Sequence, residues 1–182
     1  MYKRQTQFGP LTLTQTGEAI TGLEWDGACS DRTPLLVEAA AQLRAYDAGT
    51  LQAFDLPLEV EGSEFQRNVC AQMSAIPFGD TVTYGDIAKT LGAPAQAVGS
   101  ACGGNPIPVI IPCHRVMGAK GLTGFSGKGG VETKVALLRH EGGRGFPDLI
   151  SRLARATPAA RHPRAAGTEM TASSPRTETV QG

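Results

Sequence analysis

The N-terminal sequence alternates apolar and polar residues in two segments, a pattern typical of half-buried β-strands. The segments run from Phe8 to Leu13 and from Ala19 to Trp25, and the Asp26-Gly27 pair marks a turn after the second. Thr33-Pro34 is typical of a helix start, and Gly49 of a helix end. Between them the apolar residues recur at helical spacing: Leu36, Ala39, Leu43 and Tyr46. Residues 1–60 are therefore predicted to form a small α/β domain.

Residues 61–146 carry mostly helical patterns. Ser63 to Gln66 matches a capping box and predicts a helix with three apolar residues facing inward: Phe65, Val69 and Met73. Thr83 to Asp86 is a second, weaker box and predicts a helix through Leu91. Gly92-Ala93-Pro94 then turns the chain into a further helix, Ala95 to Cys102. Two short helices around a tight turn are typical of a helix-turn-helix.

The second helix of this pair is almost without side chains. Its small residues are Ala95, Ala97, Gly99, Ser100, Ala101, Gly103 and Gly104. In a core, such residues permit close packing between helices. On a surface, they make a slim helix that can approach another molecule closely, such as a DNA groove. The sequence leaves both interpretations open.

The C-terminal third begins with a glycine-rich loop from Gly118 to Gly130. It lacks the Gly-Lys-Ser/Thr of a phosphate-binding loop, so we interpret it as a flexible wall beside Cys113. A last helix is predicted from Val131 to His140, with Val131, Val135 and Leu138 inward and Gly142-Gly143 as its end. Residues 147–182 lack an apolar period and are predicted to be a disordered tail.

Composition narrows the class of protein. The 182 residues have a formal net charge of +0, so DNA binding by phosphate charge alone is disfavoured; backbone amides, helix N-termini and shape would have to contribute. No apolar run spans a membrane and no signal peptide is visible, so we expect a cytoplasmic protein without a membrane partner. Four cysteines lack disulfide spacing and are expected to be reduced: Cys29, Cys70, Cys102 and Cys113. We expect no metal site and no cofactor.

Candidate chemistry is concentrated in the run from Ile110 to Val116. An apolar stretch ends at Pro112 and places Cys113 and His114 where the chain must turn. Burying a thiol needs no partner, but activating one needs a group that lowers its pKa or takes its proton. The adjacent imidazole suits that role. A buried cysteine at the end of a strand is the alternative interpretation.

Six segments, in this order, resemble the O6-alkylguanine-DNA alkyltransferases: Phe65-Gln66 with Ile76-Pro77, Thr83 to Ala88, Ala97 to Gly99, Gly104 to Pro106, Pro112 to Val116, and Leu137 to Gly142. The resemblance covers about residues 34–146. It implies an RNase-H-like N-terminal α/β domain followed by a winged-helix-like, mainly α C-terminal domain. It also implies direct-reversal repair: a monomer on double-stranded DNA irreversibly moves a methyl or larger alkyl group from O6-alkylguanine to Cys113. O4-alkylthymine is a second candidate lesion.

The resemblance further implies roles for individual residues. Cys113 accepts the alkyl group, His114 activates it through a water, and Glu141 orients His114. Asn105 ties the cysteine loop to the helix-turn-helix, and Tyr84 supports base flipping and hydrogen-bonds the extruded guanine. The implied substrate and DNA contacts are Tyr84, Ala95, Gln96, Ala97, Gly99, Arg115, Val116, Phe125, Ser126 and Lys134. For Lys134, a solvated helix lysine is the alternative.

Two departures from the family pattern keep a rival function open. Family members usually carry an arginine where this chain has Gln96, and commonly a tyrosine where it has Phe125. One rival is an alkyltransferase-like sensor that binds lesions with weak or no repair; the intact Cys113 argues against it. The other is a Cys-His hydrolase, which would need an oxyanion hole and would turn over repeatedly.

Overall fold

In the residues that the structure describes, the fold combines a three-stranded antiparallel sheet and a two-stranded parallel ladder with five α-helices. A computed structural model describes residues 2–27, 31–119, 121–122 and 124–142, with side chains from residue 6 onward. Expectations for Cys29, Gly143 and the tail at 147–182 lie outside these residues. The elements in chain order are β1 (Tyr2–Thr6), β2 (Gly9–Thr16), β3 (Ala19–Trp25), α1 (Pro34–Asp47), α2 (Glu64–Ser74), β4 (Val82–Thr83), α3 (Tyr84–Leu91), α4 (Ala95–Gly103), a 3₁₀ turn (Cys113–Arg115), β5 (Val116–Met117) and α5 (Gly130–His140).

The N-terminal strands form one antiparallel sheet in the order β1-β2-β3, and α1 packs against it. The sequence predicted β2, β3 and α1, whereas the polar β1 was not predicted. The helix start is confirmed, because Thr33 Oγ1 accepts a hydrogen bond of 3.2 Å from the Leu36 amide. Leu11, Leu13 and Ile20 of the sheet are buried in the same apolar cluster as the inward stripe of α1.

The two capping boxes differ from the prediction. Ser63 caps α2 by accepting from the Gln66 amide at 3.1 Å, but the Gln66 side chain does not return the bond. It donates to the carbonyl of Ala101 in α4 over 2.8 Å instead. The box expected to be weaker, at Thr83 and Asp86, is complete. A tertiary contact between α2 and α4 has therefore replaced half of the first box.

Helices α3 and α4 form the expected helix–turn–helix pair, joined at Gly92 with φ +61°. One face of α4 is buried through Val98, Ala101 and Cys102. The opposite face is exposed and carries no charged side chain, and Pro94 provides no side-chain cap. A Cβ added at Gly99 would have no atom within 4 Å, so packing inside the protein does not require glycine there. The slim-surface interpretation therefore fits this face better than close packing.

The segment before Cys113 is a buried loop rather than a strand. It contains an isolated bridge between Pro108 and Ile111, and Val109 has φ +74°, a strained value for a β-branched residue. The 3₁₀ turn that follows is continued by β5, which pairs in parallel with β4 through Val82 and Val116. The turn is thus held between a buried loop and a short sheet.

The inward face of α5 differs from the prediction. Leu138 is buried as predicted, but Val131 is 41% exposed and Val135 is only partly buried, whereas Lys134 and Leu137 are buried. The expected face is displaced because the stem of Lys134 occupies an inward position. Among the described residues, no helix has the length and apolarity needed to cross a membrane.

Candidate active site

The centre of the site is a buried group of side chains, called the relay below, that consists of Cys113, His114, Arg115 and Glu141. Cys113 lies at its start, in the 3₁₀ turn. His114 follows directly, and its Nε2 lies 2.8 Å from Oε1 of Glu141 at the end of α5. Arg115 donates twice to the same carboxylate, from Nε at 2.8 Å and from its terminal nitrogen at 2.9 Å. The Tyr46 hydroxyl donates at 2.8 Å and the Gly79 amide at 3.3 Å. Glu141 therefore faces five donors.

These donors fix the charge on Glu141. Burial alone would raise its pKa, but the hydrogen bonds from His114 and Arg115 outweigh burial and hold the pKa well below its usual range. Burial and the neighbouring carboxylate raise the pKa of Tyr46, so its phenol keeps its proton and donates. An ionised Glu141 can only accept, and His114 Nε2 therefore carries the hydrogen that faces it.

His114 consequently presents an unprotonated Nδ1. The ring is 0% exposed, and Nδ1 has no hydrogen-bond partner within the described part of the chain. Burial lowers the pKa of His114 despite the opposing field of Glu141, so the ring is neutral near pH 7. Burial also raises the pKa of the Cys113 thiol, against the lowering effects of Asn105 and Lys134. A protonated nucleophile thus sits beside a neutral base with an available lone pair.

Asn105 braces the loop that leads to the thiol. It lies two residues beyond the end of α4. Its Nδ2 donates to the Ile111 carbonyl over 2.8 Å, and its Oδ1 accepts from the Ile107 amide at 3.0 Å. Asn105 also lowers the pKa of Cys113 through its side chain. These two hydrogen bonds link the end of α4 to the cysteine loop.

Lys134 is buried, and the interpretation as a solvated lysine is wrong. Its side chain is 0% exposed and Nζ donates to the Val116 carbonyl over 2.6 Å. Burial lowers the pKa of Lys134, while Cys113 and Cys102 oppose that shift. Lys134 therefore places a positive charge near the thiol from the core side.

A cavity of about 310 Å³ opens beside Cys113. This volume is at the lower end of small-molecule sites, roughly 300–1,000 Å³. Its lining brings together residues of α3, α4, the 3₁₀ turn and the glycine-rich wall: Tyr84, Gly99, Cys102, Gly103, Cys113, Gly124, Phe125 and Ser126. Cys102, whose pKa burial raises to about 12, was not predicted to line it.

Other predicted site residues lie outside the cavity. Ala95 and Gln96 are exposed near the start of α4, and Ala97 is half-buried there. Arg115 was expected among the DNA or base contacts, but it is buried. Its guanidinium donates hydrogen bonds to the Glu141 carboxylate and to the Ile76 carbonyl. That side chain belongs to the relay rather than to a DNA-facing surface.

Sequence reasoning missed two contributions from the N-terminal part. Tyr46 was predicted only as one residue of an apolar stripe, a pattern that gives no sign of its bond to Glu141. Trp25 packs edge-on against Phe125 with ring centroids 6.1 Å apart. A Cβ at Gly127 would lie 2.3 Å from Phe125 and 2.7 Å from Trp25, so this contact requires glycine in the wall.

The described residues contain no cluster of three His, Cys, Asp or Glu that could hold a metal.

The family model and the relatives that match this chain carry descriptions of the same activity. Residues 64–143 match the family model described as 6-O-methylguanine DNA methyltransferase, DNA binding domain. The chain is 44% identical over 152 residues to the methylated-DNA–protein-cysteine methyltransferase of Mycobacterium tuberculosis, covering 78% of this chain and 91% of the relative. The Methanosarcina acetivorans protein of the same name is 51% identical over 108 residues, covering 58% of this chain and 68% of the relative.

Solved structures agree with the sequence comparison. The crystal structure of the M. tuberculosis O6-methylguanine methyltransferase superposes with a TM-score of 0.69 at 41% identity, covering 77% of this chain and 90% of that chain. A structure of the M. tuberculosis protein in complex with DNA gives a TM-score of 0.69 at 40% identity, with coverage of 78% and 92%. Relatives that share this much sequence over most of their length establish that the chain belongs to the family of methylated-DNA–protein-cysteine methyltransferases.

Proposed function

We propose that Cys113 is the residue with which this protein performs the reaction of its family. The protein carries out direct-reversal DNA repair, in which an alkyl group moves from DNA to a cysteine of the protein itself. The observation that carries the assignment is the buried Nδ1 of His114, which has no partner in the described chain and belongs to the residue directly after Cys113, which lines a cavity.

The transfer is a displacement at carbon. His114 Nδ1 takes the proton of Cys113 through a bridging water, and the thiolate attacks the alkyl carbon of O6-alkylguanine. The S–C bond forms as the C–O6 bond breaks, and the electron pair of that bond stays on the guanine, which then takes up a proton. Glu141 holds the imidazole in the required tautomer and stabilises its positive charge.

The cavity supplies the contacts of an extruded base. The backbone groups of Cys113 and Val116 accept from the guanine amine, and the Ser126 amide donates to O6. Lys134 already occupies one lone pair of the Val116 carbonyl, and a carbonyl oxygen has a second. Tyr84, at the start of α3, supports rotation of the nucleotide out of the duplex. Phe125 closes the cavity from the wall.

The exposed face of α4 meets the DNA. Ala95, Ala97 and Gly99 allow close approach of the helix to the groove, and Gln96 enters the space left by the flipped base. A thioether in a buried site has no easy hydrolytic route, so each molecule reacts once. The partner is double-stranded DNA that contains alkylated bases, and the protein works as a monomer in the cytoplasm.

The same proposal covers the finer description of the fold. Residues 1–60 form an RNase-H-like domain, residues 61–146 a winged-helix-like domain with its helix-turn-helix, and residues 147–182 a tail. The three-stranded sheet with α1, and the α3–α4 pair beside the β4–β5 ladder, support this division.

Intact-mass and peptide mass spectrometry test the proposal after incubation with an O6-methylguanine duplex. We expect one added methyl group, on Cys113. Cys113→Ser should bind the lesion without transfer, because a hydroxyl is a poor nucleophile toward alkyl carbon. The matched control Cys70→Ser, at a buried cysteine outside the cavity lining, should still react. Lesion binding without a mass shift in the wild-type protein would favour a sensor. Repeated turnover without labelling would favour a hydrolase.

A further inference from the structure

Tyr46 lies in α1, far along the chain from the reactive cysteine, yet its phenol reaches the relay. The hydroxyl donates to Oε1 of Glu141 over 2.8 Å, and Nε2 of His114 lies 2.8 Å from the same oxygen. Tyr46 is 1% exposed and Glu141 is 4% exposed. Because water is largely excluded, this charge-assisted hydrogen bond is stronger than the same bond at a surface.

A second contact joins Tyr46 to the same helix end. The Tyr46 carbonyl accepts from Nε2 of His140 at 2.6 Å, and the two rings meet edge-on with centroids 5.0 Å apart. His140 directly precedes Glu141, and its Nδ1 lies 3.2 Å from the Gln7 amide nitrogen. Backbone and side chain of one residue in α1 therefore hold both residues that end α5.

We propose that Tyr46 is a positioning residue for the transfer reaction: its phenol aims the Glu141 carboxylate at His114 and takes up part of the negative charge on Oε1. The proposal rests on the proposed function of Cys113, because the relay has a role only if that thiol reacts. It assigns to the N-terminal part of the chain a direct effect on the chemistry, beyond its contribution to stability.

The electrostatic effect has a definite sign. A donor that shares the charge on Oε1 weakens the attraction of Glu141 for a proton on His114, so loss of the hydroxyl should raise the pKa of His114. The charged or titratable groups that face Glu141 are His114, Arg115 and Tyr46, while Arg115 and Lys134 also act on His114. Asp47, Arg115 and His140 are the remaining charged or titratable groups beside Tyr46. Because both Arg115 bonds remain, the carboxylate stays ionised without the phenol and the change falls on His114.

Tyr46→Phe tests this inference, since it removes the hydroxyl and keeps the ring among its neighbours. We expect the pKa of His114, followed by ¹⁵N NMR of the imidazole in the full chain, to rise by about half a unit to one unit. Single-turnover transfer from an O6-methylguanine duplex should then be about three- to tenfold slower below that midpoint and close to the wild-type rate above it.

Phe8→Leu is the matched control. Phe8 packs against both Tyr46 and His140, with ring centroids 6.3 and 5.6 Å away, but it donates nothing to Glu141. This substitution should lower the thermal midpoint without moving the pKa of His114. An unchanged pKa in Tyr46→Phe would overturn the inference, whatever happens to the rate. Failure of the wild-type protein to label Cys113 would overturn the proposed function instead, and the NMR titration would still decide whether Tyr46 acts on His114.

Discussion

Replacing Lys134 with methionine separates an electrostatic role in the reaction from a role in stability. The ammonium is buried and donates to the Val116 carbonyl over 2.6 Å. Methionine fills a similar volume without the charge. Loss of the donor to Val116 costs about 1–3 kcal/mol, but removal of a buried charge offsets it. We expect the free energy of unfolding at pH 7 to change by no more than about 2 kcal/mol.

The effect on transfer should be larger and should depend on pH. Lys134 lowers the pKa of Cys113. If its loss raises that pKa by about one unit, the thiolate population at pH 7 falls roughly tenfold, and so should the single-turnover rate. The deficit in the transfer rate should shrink as the pH rises toward the pKa of the Cys113 thiol. Lys128→Met, whose lysine is 61% exposed, removes the same charge from the surface and should leave the rate unchanged at saturating DNA.

The stability of the folded protein should also depend on pH, through the titration of Lys134 itself. Burial lowers the pKa of Lys134 in the folded protein. At pH values between that lowered pKa and the ordinary value of about 10.4, the unfolded chain therefore binds more protons than the folded chain. The wild-type protein should therefore gain stability relative to Lys134→Met as the pH rises through that window. A correctly folded Lys134→Met protein with the wild-type rate at pH 7 would refute the electrostatic argument. A deficit that stays constant from neutral to alkaline pH would refute it too, and would indicate displacement of Val116.

Three further predictions concern other parts of the molecule. Glu141→Gln should slow transfer by roughly 10²-fold or more and lower the free energy of unfolding by about 3–5 kcal/mol, because Arg115 loses its buried counter-charge. Rapid-quench transfer at several pH values and urea unfolding measure both effects, and an unchanged rate would leave Glu141 a structural residue. Gln96→Arg should speed repair of duplex DNA and barely affect reaction with the free base, because arginine stacks better in the gap of the flipped base; slower duplex repair would show that another residue fills that gap. Truncation after Gly145 should leave the transfer rate at saturating DNA and the thermal midpoint nearly unchanged, and a several-fold loss of rate would assign a role to the tail.

The sequence predicted the features that depend on neighbouring residues. Thr33, Ser63 and Thr83 cap helices from within three or four positions, so their signals are local and the helix starts follow from them. The cysteine motif is equally local: Cys113, His114 and Arg115 occupy one turn. β1 escaped prediction because its pairing partner, and not its own polar sequence, makes it a strand.

Features that depend on distant residues could not be predicted in this way. Tyr46 and Glu141 are separated by 95 positions, and an apolar stripe conceals a phenol that donates at its tip. Gln66 fits a capping box, but a carbonyl in α4 takes its amide. Lys134 is typical of a solvated helix face, although the loop carbonyl of Val116 binds its ammonium in the core. In each case the partner comes from another element, and only the assembled fold brings the two together.

The uncharged exposed face of α4 has a consequence for how the protein would search a genome. A protein that binds DNA through lysine and arginine releases condensed counterions, and its affinity falls steeply as the salt concentration rises. A helix that meets the groove with alanine, glycine and glutamine releases few ions from that contact. In the proposed binding mode this contact would depend on shape and on the backbone amides at the start of the helix, and its contribution to the affinity should vary little with ionic strength. The part of the DNA affinity that this helix supplies would then persist when the salt concentration changes.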